Sequence, residues 1–263
     1  MDLKLKGKRA LVTGSTQGIG FAIALGLARE GAEVVVNGRT DAKVGEAIKR
    51  IAGETSVPVT GNAADVGNVA VVGGLIKQLG LVDILINNTG IYEPKPFLDI
   101  PDTDWLRFFE ANVMSGVRLS RAFLPHMLKQ NWGRIIFISS ESGLNIPAEM
   151  VHYGMTKTAQ LAISRGIAES IPGTGVTVNA VLPGPTRTEG VVRFLDRMAK
   201  DRSLSVKEME AEVIKTHRPS SLIKRMAEPE EVANLVVYLC GEGASATTGA
   251  ALRVDGGVVR SIA

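Results

Sequence analysis

One regularity constrains this chain more than any other. Short apolar, β-branched runs alternate with longer amphipathic helical patterns from one end to the other. Strands are expected at 8–13, 33–37, 57–60, 82–87, 134–139, 175–181 and 251–254. Helices are expected at 18–30, 41–52, 66–79, 102–130, 151–171, 189–217 and 229–240. A strand–helix rhythm sustained this far implies a parallel sheet with helices on both faces. Right-handed crossovers then give an α/β, Rossmann-type doubly wound sheet of about seven strands.

No internal repeat, low-complexity tract or linker interrupts the rhythm, so 1–263 reads as a single domain. At 263 residues, 45% of them apolar, the chain can bury a sizeable core without staples. Thr40 is placed to cap the helix at 41–52, and Pro229 suits the first turn of the last helix. The long helix 102–130 opens on Asp102 and Asp104 and ends on Lys129, as the macrodipole prefers. Pro125 is expected to kink or end it.

Composition argues against several function classes. A net charge of +3 with scattered basic residues does not suit a nucleic-acid surface. Cys240 is the only cysteine, which allows no internal disulfide and fits a reducing compartment. The first residues lack a signal-peptide run, and no stretch approaches the ~20 apolar residues of a membrane span. A cytoplasmic protein without a membrane partner is expected. His126, His152 and His217 are far apart and no metal-ligand spacing occurs, so no metal is expected.

In a parallel sheet the carboxyl ends of the strands share one edge, where open α/β sheets bind ligands. The residues following these strands are Gly14 to Gly20, Gly38-Arg39, Asp65-Val66, Asn87-Asn88-Thr89-Gly90, Ser139-Ser140 and Pro183-Gly184-Pro185. The first group reads Thr13-Gly14-Ser15-Thr16-Gln17-Gly18-Ile19-Gly20. Its glycine spacing is G-x-x-x-G-x-G rather than G-x-G-x-x-G, but the physics is shared. Gly14 allows a tight turn, Gly18 lets the backbone approach a pyrophosphate at the helix N-terminus, and Gly20 lets helix and strand pack closely. No Gly-Lys-Ser/Thr follows, so a Walker-type loop is excluded. After the second strand, where a ribose-binding acid would mark NAD, the chain has Asn37-Gly38-Arg39. A guanidinium there suits a 2′-phosphate; a solvated surface arginine is the plain alternative.

The stretch after the fifth strand carries Ser140, then Tyr153 and Lys157 four residues apart on one helix face. An ammonium beside a phenol lowers the phenol's pKa from ~10 and equips it for acid–base work. Ser140, at the strand end, can donate to the same substrate oxygen. Taken alone, a Tyr-x-x-x-Lys pair also arises by chance. No Gly-x-Ser-x-Gly surrounds Ser140, which argues against a hydrolase. The loop residues Glu141, Asn145 and Glu149 face the presumed substrate, and His152 precedes Tyr153; a polar substrate and plain packing are both open for them.

In combination these motifs resemble the short-chain dehydrogenase/reductase family in its classical form, over about residues 7–257. Members called 3-oxoacyl-acyl-carrier-protein reductases have this general sequence, and steroid, sugar and small-alcohol dehydrogenases share the motifs. The resemblance implies Tyr153 as general acid/base, Ser140 holding the reacting oxygen, and Lys157 binding the nicotinamide ribose while depressing the Tyr153 pKa. It implies that Asn112 holds a water that relays protons to Lys157. Asp65 and Val66 would meet adenine, Asn88 and Gly90 would line the cofactor, and Thr188, after Pro183 and Gly184, would lie near the carboxamide. Thr89 departs from the usual Ala, and Gln17 from a position often basic in NADP-using relatives, leaving Arg39 as the main phosphate ligand. The expected cofactor is NADP(H) in preference to NAD(H). The expected substrate is a small-molecule or acyl-carrier-linked carbonyl, and the expected assembly a homotetramer or dimer. The segment 189–217 is expected to be two helices broken at Asp201-Arg202-Ser203, with a Ser205/Glu208 capping box, closing over the substrate as a lid. The function implied is hydride transfer between nicotinamide and a carbonyl or secondary alcohol. An NAD-preferring alcohol or sugar dehydrogenase, and a silent nucleotide-binding regulator on the same fold, are the alternatives.

Overall fold

In the computed structural model, which describes residues 2–262, seven strands form one parallel sheet. They are β1 (Arg9–Val12), β2 (Glu33–Gly38), β3 (Val59–Ala63), β4 (Ile84–Asn87), β5 (Gly133–Ile138), β6 (Val176–Pro183) and β7 (Ala251–Val254). Their spatial order is β3-β2-β1-β4-β5-β6-β7, so the order reverses between β1 and β4. The crevice at that reversal is the ligand site of an open α/β sheet.

The helices are α1 (Gly18–Arg29), α2 (Asp41–Ala52), α3 (Val69–Leu79), α4 (Asp102–Phe109), α5 (Ser115–Lys129), α6 (Val151–Glu169), α7 (Glu189–Asp201), α8 (Val206–His217) and α9 (Pro229–Cys240). Side chains alternate across the pleat. Val12, Val36, Ile86 and Ile136 pack with α1, α2 and α9, while Leu11, Val35, Leu85 and Ile135 pack with α3 and α5. Full burial of each such side chain contributes roughly 1.5–3 kcal/mol. A third, smaller cluster joins Leu195 and Ala199 of α7 to Met209 and Ile214 of α8. None of the helices among the described residues is long and apolar enough to cross a membrane.

Three local expectations change. Pro125 lies inside α5, which runs on to Lys129 with Met127 fully buried, so packing of the last turn carries the helix past it. The interruption falls instead at Glu110–Met114, a single π-helical turn between α4 and α5. The third strand sits at Val59–Ala63 rather than 57–60, because pairing with β2 extends it through Gly61 and Asn62, residues of low β-propensity. Thr40 holds the extended N-cap position of α2, yet its side chain makes no capping hydrogen bond. The break between α7 and α8 falls where the sequence places it. The Ser205/Glu208 box forms in both directions, the Ser205 oxygen accepting from Glu208 N and the Glu208 carboxylate from Ser205 N.

Candidate active site and cofactor cleft

The turn from β1 into α1 needs glycine for steric reasons. Gly14 and Gly18 have φ of +61° and +58°, and a Cβ on Gly20 would lie 2.5 Å from the Gly14 carbonyl oxygen. The turn is stitched to β4 by Asn88, whose Nδ2 donates to the Thr13 and Gly14 carbonyls at 2.8 and 3.1 Å. Thr13 Oγ1 accepts from the Asn88 and Thr89 amides. Asn37, buried at the end of β2, accepts from Gly14 N and donates to the Asn62 and Ala64 carbonyls. It ties three strand ends together, a role its side chain gains only in the fold. Ser15 Oγ donates to the Val12 carbonyl at 2.6 Å.

Thr16, Gln17, Arg39, Thr40 and Lys43 line a cleft of about 320 Å³ beside this turn. Lys43 adds a second cation that the sequence reading missed; the signal was its place four residues after Arg39, on the first turn of α2. These residues fit a phosphorylated dinucleotide. The glycine turn would leave room for the phosphates, and two cations flank the cleft where the adenosine ribose would lie. A stand-in anion supports the fit. The carboxylate of Glu189, the first residue of α7, accepts from Gly18 N at 2.8 Å.

Asp65 uses Oδ1 to accept from Gly67 N at 2.9 Å, and the Val66 side chain is buried in the core. Thr188 caps α7 and sets its methyl 3.0 Å from where a Gly18 Cβ would lie. Pro183 ends β6, and Gly184 passes the Asp255 carbonyl so closely that a Cβ would sit 2.6 Å from it. Gly90 leaves room for its neighbours: a Cβ there would be 3.5 Å from Lys157 Nζ and 3.6 Å from Asn112 Oδ1.

At the end of β5, Ser140 opens the turn Glu141–Gly143 and accepts from Ser142 N. Tyr153 lies within hydrogen-bond contact of Ser140 and edge-on to Tyr92, ring centres 6.4 Å apart. Lys157 Nζ lies 5.6 Å from the Tyr153 ring centre and donates to the Ile138 carbonyl at 2.8 Å. Ser140, Tyr153 and Lys157 therefore meet at the carboxyl edge of the sheet. Burial dominates their acid–base character. It pushes the Tyr153 phenol above its ordinary value, although the hydrogen bond with Ser140 pulls it down, and it lowers the Lys157 ammonium to about 7. The expected lowering of the phenol by the Lys157 ammonium is not found: the downward pull on Tyr153 comes from Ser140 and Arg218, and burial exceeds it.

Asn112 sits on the π-helical turn, where backbone carbonyls lose their usual partners. Its side chain is committed: Oδ1 accepts from Ile91 N at 2.7 Å, and Nδ2 donates to the Ile91 carbonyl and to Thr156 Oγ1. Its carbonyl accepts from Gln160 Nε2 at 2.6 Å, and Gln160 Oε1 accepts from Lys157 Nζ at 3.3 Å. A side-chain amide thus bridges Asn112 to Lys157 directly. Gln160 escaped the sequence reading, although its spacing of three from Lys157 put it on the same helix face.

The loop residues divide. Glu141 is buried beside Ser140, and Asn145 lies exposed after the turn. His152 has no exposed surface; its ring packs 4.0 Å from Phe108 and 6.1 Å from Trp105, centre to centre, with both nitrogens unpaired. It belongs to the packing between α4 and α6, not to an open pocket wall, and burial lowers its pKa. Arg218, just past α8, reaches Glu141 and was not foreseen, being 77 positions away. Among the described residues no group of three His, Cys, Asp or Glu could hold a metal.

Known proteins have similar chains. A family model described as short chain dehydrogenase matches residues 8–198. An uncharacterized oxidoreductase of Bacillus subtilis, YvaG, is 50% identical over 263 residues and covers both chains completely. The 3-oxoacyl-[acyl-carrier-protein] reductase FabG of Aquifex aeolicus is 33% identical, over 98% of this chain and 100% of its own. The crystal structure of L-sorbose reductase from Gluconobacter frateurii, complexed with NADPH and L-sorbose, superposes over both full chains with a TM-score of 0.94 at 33% identity. A seven-stranded sheet with its reversal at β1/β4, a glycine turn at that point and full-length relatives among these reductases lead to one conclusion: the chain belongs to the short-chain dehydrogenase/reductase family, an oxidoreductase acting on C=O and CH–OH groups.

Proposed function

We propose that the chain is an NADP(H)-dependent carbonyl reductase, working in reverse as a secondary-alcohol dehydrogenase. The convergence of Ser140, Tyr153 and Lys157 at the carboxyl edge of the sheet carries this reading. A nicotinamide held in the cleft would supply the hydride for the carbonyl carbon. Tyr153, protonated at neutral pH, gives its proton to the oxygen that becomes the alcohol. Ser140 holds that oxygen. Lys157, titrating near 7, positions the ribose and can return a proton to Tyr153 at neutral pH. Asn112 fixes the geometry behind Lys157 through Gln160. Arg39 and Lys43 select the 2′-phosphate, and the likeness to the sorbose reductase complexed with NADPH supports that choice.

The substrate meets Glu141 on one side and the α7–α8 pair, acting as a lid, on the other. A homotetramer or dimer is the assembly we favour, supported by apolar side chains left exposed on α4, Leu106 at 67% and Phe109 at 38%. A panel of ketones and alcohols, read by nicotinamide absorbance, tests the activity, and Tyr153→Phe tests the mechanism. The variant should keep its NADPH affinity while turnover falls ~10²–10⁴-fold. Near-normal turnover in the variant would sink the mechanism; no turnover by the wild type across the panel would leave a silent nucleotide-binding regulator.

A further inference from the structure

Glu141 has only 3% of its surface exposed and lies next in sequence to Ser140. Its Oε2 accepts from Ser140 Oγ at 2.6 Å and from Ser142 Oγ at 2.7 Å, and its Oε1 accepts from Arg218 Nε at 2.6 Å. Arg218 comes from the end of α8, 77 positions further along the chain. Its Nη1 donates to the His217 carbonyl at 2.8 Å and lies 3.6 Å from Glu149 Oε1. Its Nη2 makes no hydrogen bond among the described residues. Both charges reach the Tyr153 phenol, Glu141 raising its pKa and Arg218 lowering it. A carboxylate and a guanidinium therefore flank the two hydroxyl groups that receive the reacting oxygen.

A reductase for an aliphatic ketone or acyl chain has no use for such a pair, since burying it is costly unless each charge keeps its hydrogen bonds. A substrate hydroxyl can serve both ends at once, because it donates to a carboxylate and accepts from a guanidinium. A substrate carboxylate can pair only with Arg218, and it meets Glu141 and Glu149, two anions against one cation. Resting on the reductase reading above, we infer that Arg218 and Glu141 are specificity-determining residues. They select a small, neutral, polyhydroxylated ketone, and the matching polyol in reverse, by binding a hydroxyl on a carbon beside the reacting one. Because Glu141 also accepts from Ser140, a substrate hydroxyl that replaces Ser140 at Oε2 frees the serine proton for the carbonyl oxygen. The substrate group thereby turns Ser140 from donating to Glu141 to donating to the reacting oxygen.

The test compares kcat/KM for L-sorbose or D-fructose, for 2-hexanone, which lacks hydroxyls, and for acetoacetate, a keto acid, with NADPH as the reductant. Wild type should favour a ketose over both other ketones. In Arg218→Met and Glu141→Gln the ketose-to-hexanone ratio should fall by about tenfold or more, mainly through KM, the size expected for a lost charge-assisted contact. Arg218→Lys should recover part of the ratio but not all, since an ammonium lacks the planar fork. NADPH titration reports folding, so any variant that fails to bind is replaced by the other two. A wild-type preference for 2-hexanone or acetoacetate, or a ratio moving by less than about twofold in all three variants, overturns the inference while the reductase reading stands. Failure of wild type to oxidise NADPH with any of these ketones and any of the wider panel overturns both.

Discussion

At the scale of single residues, the proposed choice of NADP(H) rests on Arg39 and Lys43. Neither is buried deeply, and each stands on the first turn of α2 or just before it, at the mouth of the cleft beside Gln17. Asn37 fills the place of a ribose-binding acid and spends its side chain on neighbouring backbone, so no carboxylate opposes a 2′-phosphate there. Arg39→Ala should therefore weaken NADPH by ~10–100-fold and NADH far less, as fluorescence titration would measure. Equal weakening of both cofactors, or tighter binding of NADH by wild type, would contradict this assignment.

At the scale of elements, the start of α7 borders the cleft. The helix α7 begins beside the glycine turn, with Thr188 against Gly18 and Glu189 on the Gly18 amide. On the proposed reading a pyrophosphate would seek that same amide and compete with Glu189 for it. Glu189→Gln keeps the side-chain shape and removes the competing charge. Its NADPH affinity should rise, by roughly three- to tenfold, in an equilibrium titration; unchanged or weaker binding would mean that the carboxylate does not compete. The α7–α8 pair is held by its own small cluster of Leu195, Ala199, Met209 and Ile214, apart from the two large clusters on the sheet. Amides of 189–217 should accordingly exchange faster than those of β4 and β5, and slow when NADPH and a ketone are present. Slow exchange that ligand does not alter would exclude a lid.

Across the whole molecule, burial at the active site makes stability depend on pH. Lys157 titrates near 7 in the folded chain, against an ordinary value of 10.5. Between those values the unfolded chain binds one more proton than the folded chain at this site, so this group's contribution to stability rises with pH. Tyr153, shifted upward, acts in the opposite sense only above its ordinary value of 10.0. Lys157→Met removes the first effect and leaves the remaining titrations. Urea midpoints of wild type should therefore rise relative to the variant between about pH 7 and 10. Parallel curves would show that the ammonium is not desolvated in the fold.

Much of this molecule follows from interactions a few residues long. Apolar alternation alone carries β1, β2 and β4–β7 and places the carboxyl edge, and the helix ranges of α2 and α9 coincide with the sequence reading. The glycine turn and the Tyr153/Lys157 face are equally local, one set by steric limits within a turn, the other by a helical period of four residues. What needed tertiary structure lies across long separations. Glu189 meets Gly18 across 171 positions, Arg218 meets Glu141 across 77, and Gln160 meets Asn112 across 48. No periodicity encodes such pairs, because they depend on how helices seat on the sheet. The same seating turned His152 into the α4–α6 packing and carried α5 past Pro125, while pairing with β2 moved β3 toward Ala63. It also reversed the acid–base expectation at Tyr153. A pKa answers to burial and neighbouring charge, which belong to the packed molecule and not to the order of its residues.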